Sequence, residues 1–364
     1  LRCNWQHTFC VDAIRIGHFK LSQMRSLLCV IAAFLSLVPA VRAQQTYTML
    51  DQAFQAGDQA AVKVAVAVAD VFVVTGLEGA MRIEIQVMAP DRETARRYYD
   101  AQQYAVALND GTLEVLDQPT HRARTGWHRP LQTQIFLATP VSVDLRVRTA
   151  DGDLAIADVR GDVFVRTSYG DIVAEHLSGV MLEARTSDGD IVVKSAEFKN
   201  VVLQTAHGDI SVNHAEAEEV TAVTSDGDIV FGHLAGIADI RTSDGDIAIG
   251  TLIVSSGKIR TSDGDLSLDA IEGKLDASTA HGDIVANLVR FDAVTLMTTD
   301  GDIVVSVPSS QGADLDLSAS RVHLDCCASF EGQQIRRRVE GMINGGGSSL
   351  RVSSSYGTIL LQER

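Results

Sequence analysis

The sequence predicts an all-β fold, a parallel β-solenoid of about nine to ten coils of 18–19 residues, with an irregular β-rich N-terminal region and a C-terminal cap. Three observations carry this. One turn recurs nine times, a Thr followed three residues later by Gly-Asp and then Ile or Leu, at Gly152, Gly170, Gly189, Gly208, Gly227, Gly245, Gly264, Gly282 and Gly301. A fixed period near 20 residues marks stacked, quasi-one-dimensional architecture. Apolar columns flank each turn with strand parity: Leu154, Ile172, Ile191 and their equivalents lie two after the glycine, Ile156, Val193 and Phe231 four after it, and Val147, Leu203 and Ile240 five before it. Finally, like residues recur at like positions, as ladders about 4.8 Å apart require. An antiparallel meander needs no such identity on every second turn. A lipid-facing barrel needs an apolar outer face on strands of ~10 residues, which these short arms lack.

Taken in order, residues 1–23 precede the first methionine, Met24, and read as upstream translation. Residues 24–43 read as a signal peptide: Arg25, the apolar run from Leu27 to Val38, then Val41-Arg42-Ala43. The mature protein is expected to be exported to the periplasm, outer surface or medium, without a second long apolar run. Residues 44–140 form the N-terminal region. Val62, Val64, Val66 and Val68 alternate at strand period, Met81 to Val87 repeats the pattern, and Pro90 to Tyr104 is the single helix candidate, with Asp91 and Glu93 early. Asn109-Asp110-Gly111 signals a tight turn. The array occupies 141–307. Residues 308–364 cap it, with Ser354-Ser355-Tyr356-Gly357-Thr358-Ile359 as a degenerate tenth copy.

Removing the first 43 residues leaves 26 basic and 46 acidic residues, a net charge of −20. Such a surface repels nucleic acid and anionic lipid, so no nucleic-acid partner is expected. Of five cysteines only the adjacent Cys326-Cys327 survives export, and neighbours cannot staple distant segments.

The motif columns are structural before they are chemical. The glycines are expected to supply positive φ at a tight reversal. The threonines, from Thr149 to Thr298, share the inward parity, and their hydroxyls can bond a stacked neighbour or the turn backbone. The Asp after each Gly (Asp153, Asp171, Asp190, Asp209, Asp228, Asp246, Asp265, Asp283, Asp302) is sharper, because like carboxylates stacked ~4.8 Å apart repel by roughly 1 kcal/mol in water. Three readings stay open. The carboxylate accepts turn N–H groups; it pairs with the broken column Arg148, Arg166, Arg185, Arg241 and Arg260; or it binds Ca²⁺ together with the Asp before the Gly. The candidates for Ca²⁺ are Asp188, Asp190, Asp226, Asp228, Asp244, Asp246, Asp263 and Asp265, although the spacing matches neither the calcium β-roll nor the EF-hand loop. Tyr169, His207 and His281 interrupt the column before the Gly. His176, His214 and His233 share the position six after it but skip repeats, so no regular metal column is expected. No cofactor motif and no catalytic motif is present: there is no Gly-x-Ser-x-Gly elbow, phosphate loop or His-Glu-x-x-His helix.

The Thr-Ser-Asp-Gly-Asp-Ile repeats, as at Thr186–Ile191 and Thr242–Ile247, and the opening Val62–Val74 strands resemble the bacterial "putative adhesin" family of β-strand repeats over about residues 60–364. The resemblance implies an envelope or exported protein and carries over no catalytic residues. The expected function is a non-enzymatic adhesin or envelope scaffold that binds a glycan, an envelope component or a protein surface along its acidic turn edge and the broken Arg stripe. The rivals are a carbohydrate-active enzyme on a β-helix and a self-assembling filament.

Overall fold

A computed structural model describes residues 44–57, 60–118, 131–325 and 329–363; the predicted signal and Cys326-Cys327 lie outside the described residues. The parallel pairing expected of the repeats is present, with each coil in register with the next: Ile191 pairs with Ile210, Ile210 with Ile229, Ile229 with Ile247 and Ile247 with Leu266. Because the register is kept through both arms of each repeat, core side chains meet their equivalents one coil away. The interior is therefore a set of aliphatic ladders. Ile191, Ile210, Ile229 and Ile247 are fully buried, as are Ala196, Ala215, Leu234 and Leu252 on the far side of the coil. Burying a Leu or Ile side chain contributes about 1.5–3 kcal/mol, repeated coil after coil.

Each coil has one sharp corner, at the Thr-to-Asp motif. The second reversal is gentler, because strands such as Ile191–Gln204 and Ile210–Val223 run through it without a break. Bulges there, as between Glu216 and Glu219, absorb the difference between 18- and 19-residue repeats.

The stack extends further back than the motif does. Ala61–Ala65 pairs in parallel with Asp144–Arg148, and Asp70–Thr75 with Leu154–Ala157, so residues 61–75 form a coil beneath the first Gly-Asp copy. Its corner, Val66-Ala67-Val68-Ala69-Asp70, has the same length but neither Thr nor Gly. Thr112–Leu116 and Thr133–Thr139 make the coil below that. At the other end, Ser348–Ser354 and Thr358–Glu363 stack directly on Ile284–Thr298 and Ile303–Val307, as a tenth copy should. Ala313–Ser318 and Arg321–Asp325 lie outside them. Twelve successive parallel pairings, from Thr133–Thr139 at one end to Arg321–Asp325 at the other, thus stack thirteen layers.

Antiparallel strands dress both ends: Arg338–Ile343 lies on Ala313–Ser318 and pairs with Glu331–Ile335 at the C-terminal end, and the other elements dress the N-terminal end. Ala80–Ala89 pairs antiparallel with both Thr133–Thr139 and Gln45–Gln55, so the polar stretch after the predicted signal is itself a strand. The helix spans Arg92–Gln102. Asp91 caps it by accepting the Thr94 N–H at 2.7 Å, and Gln103 ends it by turning left-handed (φ 53). Ala95 and Tyr98 seat it on Val87 and Ala89. Asp110-Gly111 closes the hairpin between Ala105–Asn109 and Thr112–Leu116 with positive φ at both residues, as a two-residue hairpin loop requires.

Candidate functional site

The corner is built from inside outward. The nine threonines are buried, and from Thr167 onward their hydroxyls donate to the glycine carbonyl one coil back: Thr186 to Gly170 O at 3.0 Å, Thr205 to Gly189 O at 2.9 Å, and Thr261 to Gly245 O at 3.0 Å, whereas Thr149 donates to Asp151 O at 3.3 Å within its own turn. This is the inward, stacked-hydroxyl role expected of the column. The glycine expectation needs correcting. Of the nine, only Gly152 has a left-handed φ (148). The requirement is space: a Cβ at Gly245 would lie 2.0 Å from Gly227 O, and one at Gly208 2.0 Å from Gly189 O.

The Asp after each glycine answers the repulsion problem. Its carboxylate accepts the backbone N–H of the equivalent Asp one coil on: Asp190 N to Asp171 Oδ1 at 2.9 Å, Asp209 N to Asp190 Oδ1 at 2.9 Å, Asp228 N to Asp209 Oδ1 at 2.8 Å and Asp246 N to Asp228 Oδ1 at 2.8 Å. The ladder starts at Asp70, which accepts from Asp153 N at 3.2 Å, and ends where Thr358 N donates to Asp302 Oδ1 at 2.7 Å. The capping reading holds, but across coils rather than within one turn. The arginine column does not pair with these carboxylates. Arg185 meets Glu183 at 2.9 Å, Arg241 meets Asp239 at 2.6 Å and Arg260 meets Asp276 at 3.2 Å.

Outside the Asp ladder runs the column before the glycine. Along the stack it reads Asp151, Tyr169, Asp188, His207, Asp226, Asp244, Asp263, His281, Asp300 and Tyr356, all exposed. Each histidine sits against a carboxylate: His207 Nδ1 is 3.1 Å from Asp188 Oδ1 and its Nε2 3.7 Å from Asp226 Oδ2, while His281 Nδ1 is 2.7 Å from Asp263 Oδ1. Tyr169 and Tyr356 are 68% and 74% exposed, so an aromatic face closes the row at the C-terminal end and another stands one coil in from Asp151. The eight Ca²⁺ candidates line this corner. Among the described residues, none of them belongs to a trio of ligand atoms lying within 4.8 Å of one another.

A second strip lies at the gentler bend, six positions after the glycine, where the order is Asp158, His176, Ser195, His214, His233 and Thr251. His176 Nδ1 is 3.2 Å from Asp158 Oδ1. Beside it a hollow of about 320 Å³ is lined by Asp158, Arg160, His176, Ser195 and Glu197. His214 and His233 occupy adjacent coils, and their rings stack at 4.7 Å and 11°. Glu216 Oε1 lies 3.2 Å from His214 Nε2. The sequence signal for this cluster was the shared offset in two consecutive copies, those of Gly208 and Gly227; the skipped repeats elsewhere obscured it.

Shifted ionisations at the N-terminal end have structural causes. The hydrogen bond from Arg82 holds the Asp51 carboxyl below its usual range. The Thr94 backbone N–H does the same for Asp91. Burial pushes Asp117 upward although its carboxylate accepts Ala67 N–H at 2.8 Å.

No curated protein matches the chain in sequence. Among solved structures it is similar to a "putative adhesin" from Parabacteroides merdae (14% identity, TM-score 0.38, 72% of this chain and 95% of that one). It is also similar to a "putative adhesin" from Bacteroides fragilis (12%, 0.27, 89% and 99%). A "putative lipid binding protein" from Parabacteroides distasonis matches at 11% identity, TM-score 0.30, 86% and 96%. The family described as Toastrack DUF4097 matches residues 63–251 and again 235–362, which together take in the N-terminal coils, all nine Gly-Asp copies and the tenth. The chain therefore belongs to the Toastrack DUF4097 family.

Proposed function

We propose that this protein is an exported, non-enzymatic, adhesin-like binding protein of the cell envelope, and that the acidic corner is its contact surface. The observation that carries the reading is the outer column from Tyr169 to Tyr356. It repeats exposed donors and acceptors at coil spacing, about 4.8 Å, on a backbone fixed by the Thr and Asp ladders beneath. A rigid, evenly spaced row suits a repetitive ligand, because many weak contacts add through multivalency. Glycans, envelope polymers and repetitive protein surfaces present repeated groups to such a row. Since the inner Asp carboxylates are engaged with backbone N–H groups, recognition falls to the outer column, which can change without dismantling the coil.

The test is a glycan and envelope-component binding array, run with and without chelator. It compares the wild type with a variant carrying Asp188→Asn, Asp226→Asn, Asp244→Asn and Asp263→Asn. Binding by the wild type that is weakened in the variant at unchanged melting temperature supports the reading. Equal binding by the two proteins, or turnover of an array polysaccharide, would replace it.

A further inference from the structure

We propose that His214, Glu216 and His233 form a binding site for a first-row divalent cation. They are, among the described residues, the one trio whose ligand atoms all lie within 4.8 Å of one another. Backbone pairing places His214 directly beside His233, so their proximity is set by the coil register rather than by side-chain preference. The column continues as Ser195 on one side and Thr251 on the other, which isolates the histidine pair. Glu216, two residues after His214 on the same strand, projects to the same side.

Distances fit the chemistry. With Zn–N and Zn–O near 2.0–2.1 Å, adjacent donors of a tetrahedral ion lie about 3.3 Å apart. His214 Nε2 and Glu216 Oε1 are 3.2 Å apart. The second imidazole is stacked at 4.7 Å and reaches the same ion by rotating its ring out of the stack. All three side chains retain solvent access, so a cation can enter without opening the coil. Two imidazoles and one carboxylate select Zn²⁺, Cu²⁺ or Ni²⁺ over Ca²⁺, which takes oxygen donors. Three protein donors leave one tetrahedral position for water or for a donor from a bound partner.

The experiment uses untagged protein carrying residues 44–364 and titrates it with Zn²⁺ by calorimetry, with Ca²⁺ as the competing arm. The expected result is one saturable equivalent of Zn²⁺, undisturbed by millimolar Ca²⁺. Changing a metal's outer partner typically weakens binding by about 10–100-fold, so removing a ligand in His214→Asn, His233→Asn or Glu216→Gln is expected to weaken it at least about ten-fold. His176→Asn, on the same strip but outside the trio, should leave affinity unchanged. Melting curves of the variants verify folding. If His214→Asn proves unfolded, imidazole ¹⁵N shifts of the wild type on Zn²⁺ addition provide the second readout, with His214 and His233 moving and His176 unmoved. No saturable uptake, or uptake unchanged in the His214→Asn/His233→Asn double variant, overturns the assignment.

Discussion

Replacing Gly245 by Ala tests why glycine occupies the corner. A Cβ there would lie 2.0 Å from Gly227 O, 2.6 Å from Gly227 C and 3.3 Å from Asp228 N. All three are backbone atoms of the neighbouring coil, so no side chain can swing away. Relief requires either a wider coil spacing or a displaced corner. The corner also holds the Gly245 N–H to Asp263 O bond at 3.1 Å and the Thr261 hydroxyl bond to Gly245 O at 3.0 Å. Overpacking of a rigid core costs typically 1–3 kcal/mol, and one weakened hydrogen bond adds ~1, giving a loss of about 3 kcal/mol. Gly57, with nothing within 4 Å of its Cβ, is the control, and Gly57→Ala should lie within about 0.5 kcal/mol of wild type. Asn separates the two explanations for glycine, because it tolerates left-handed φ but still carries a Cβ. If space is the constraint, Gly245→Asn is as damaging as Gly245→Ala, whereas Gly79→Asn, at φ 64 with open surroundings, is mild. Urea denaturation measures the losses. Hydrogen exchange should place the lost protection in the coils on either side of Gly245, since repeat arrays couple mainly to nearest neighbours. A Gly245→Asn variant as stable as the wild type would refute the argument.

Thr261→Val keeps the shape but loses the hydroxyl bonds to Gly245 O and Ser243 O, and should cost about 1–2 kcal/mol by urea midpoint, with Thr261→Ser recovering part of it. Melting temperature should rise with NaCl as the stacked carboxylates are screened. CaCl₂ at matched ionic strength should add nothing more, because the inner carboxylates are engaged by N–H groups; a chelator-reversible rise specific to Ca²⁺ would contradict this. In acid, Asp91 and Asp51 have folded pKa values below their unfolded ones, so their contribution is present above the unfolded value and lost as pH falls through the folded one. Asp117 has the opposite sign: its contribution is present below the unfolded pKa and lost as pH rises through the raised folded value. Melting scans against pH should therefore show a shallower acid limb for Asp91→Ala than for the wild type, and a gain near neutrality for Asp117→Asn.

The core columns were legible because period 2 within an arm and period 18–19 between arms are both written in residue type. Ile191, Ile210, Ile229 and Ile247 could be placed on one inward ladder before any coordinates. The reason for glycine was not legible. A left-handed turn and a backbone crowded by the next coil select the same residue, and only the 2.0 Å approach separates them. The coil at 61–75 was hidden for a related reason. Ala69 stands where Gly is expected and Val66 where Thr is expected, so the motif vanishes while the geometry persists. Gly152 still packs against Ala69 O, at 2.1 Å from its would-be Cβ, and the Asp117 carboxylate accepts the Ala67 N–H in that same corner. The histidine pair is not legible as a cluster because its column skips repeats, and only the coil register makes His214 and His233 neighbours in space.

Both ends of the stack are out of sequence order, and this bears on the filament reading. Residues 61–75 lie inside the layer made later by 112–116 and 133–139, and residues 348–363 lie inside the layer made earlier by 313–318 and 321–325. Each outermost layer is thus sewn in by chain on its inner side. At the C-terminal end, four residues separate Leu317 from Val322 where six separate Val352 from Ile359, so the outermost corner is too short to continue the Gly and Asp ladders. Antiparallel strands then cover the free edges: Ala105–Asn109 lies on Thr112–Leu116, Ala80–Ala89 on Thr133–Thr139, and Arg338–Ile343 on Ala313–Ser318. The Gln334 side chain reaches Val322 O at 3.4 Å on the remaining arm. End-to-end growth needs open parallel edges at both ends, and among the described residues three of the four end arms are paired with antiparallel strands within the chain. Sedimentation should therefore give a discrete species across a wide concentration range. Length-distributed polymers would mean that the antiparallel covers detach, and deleting 329–347 would then accelerate their growth.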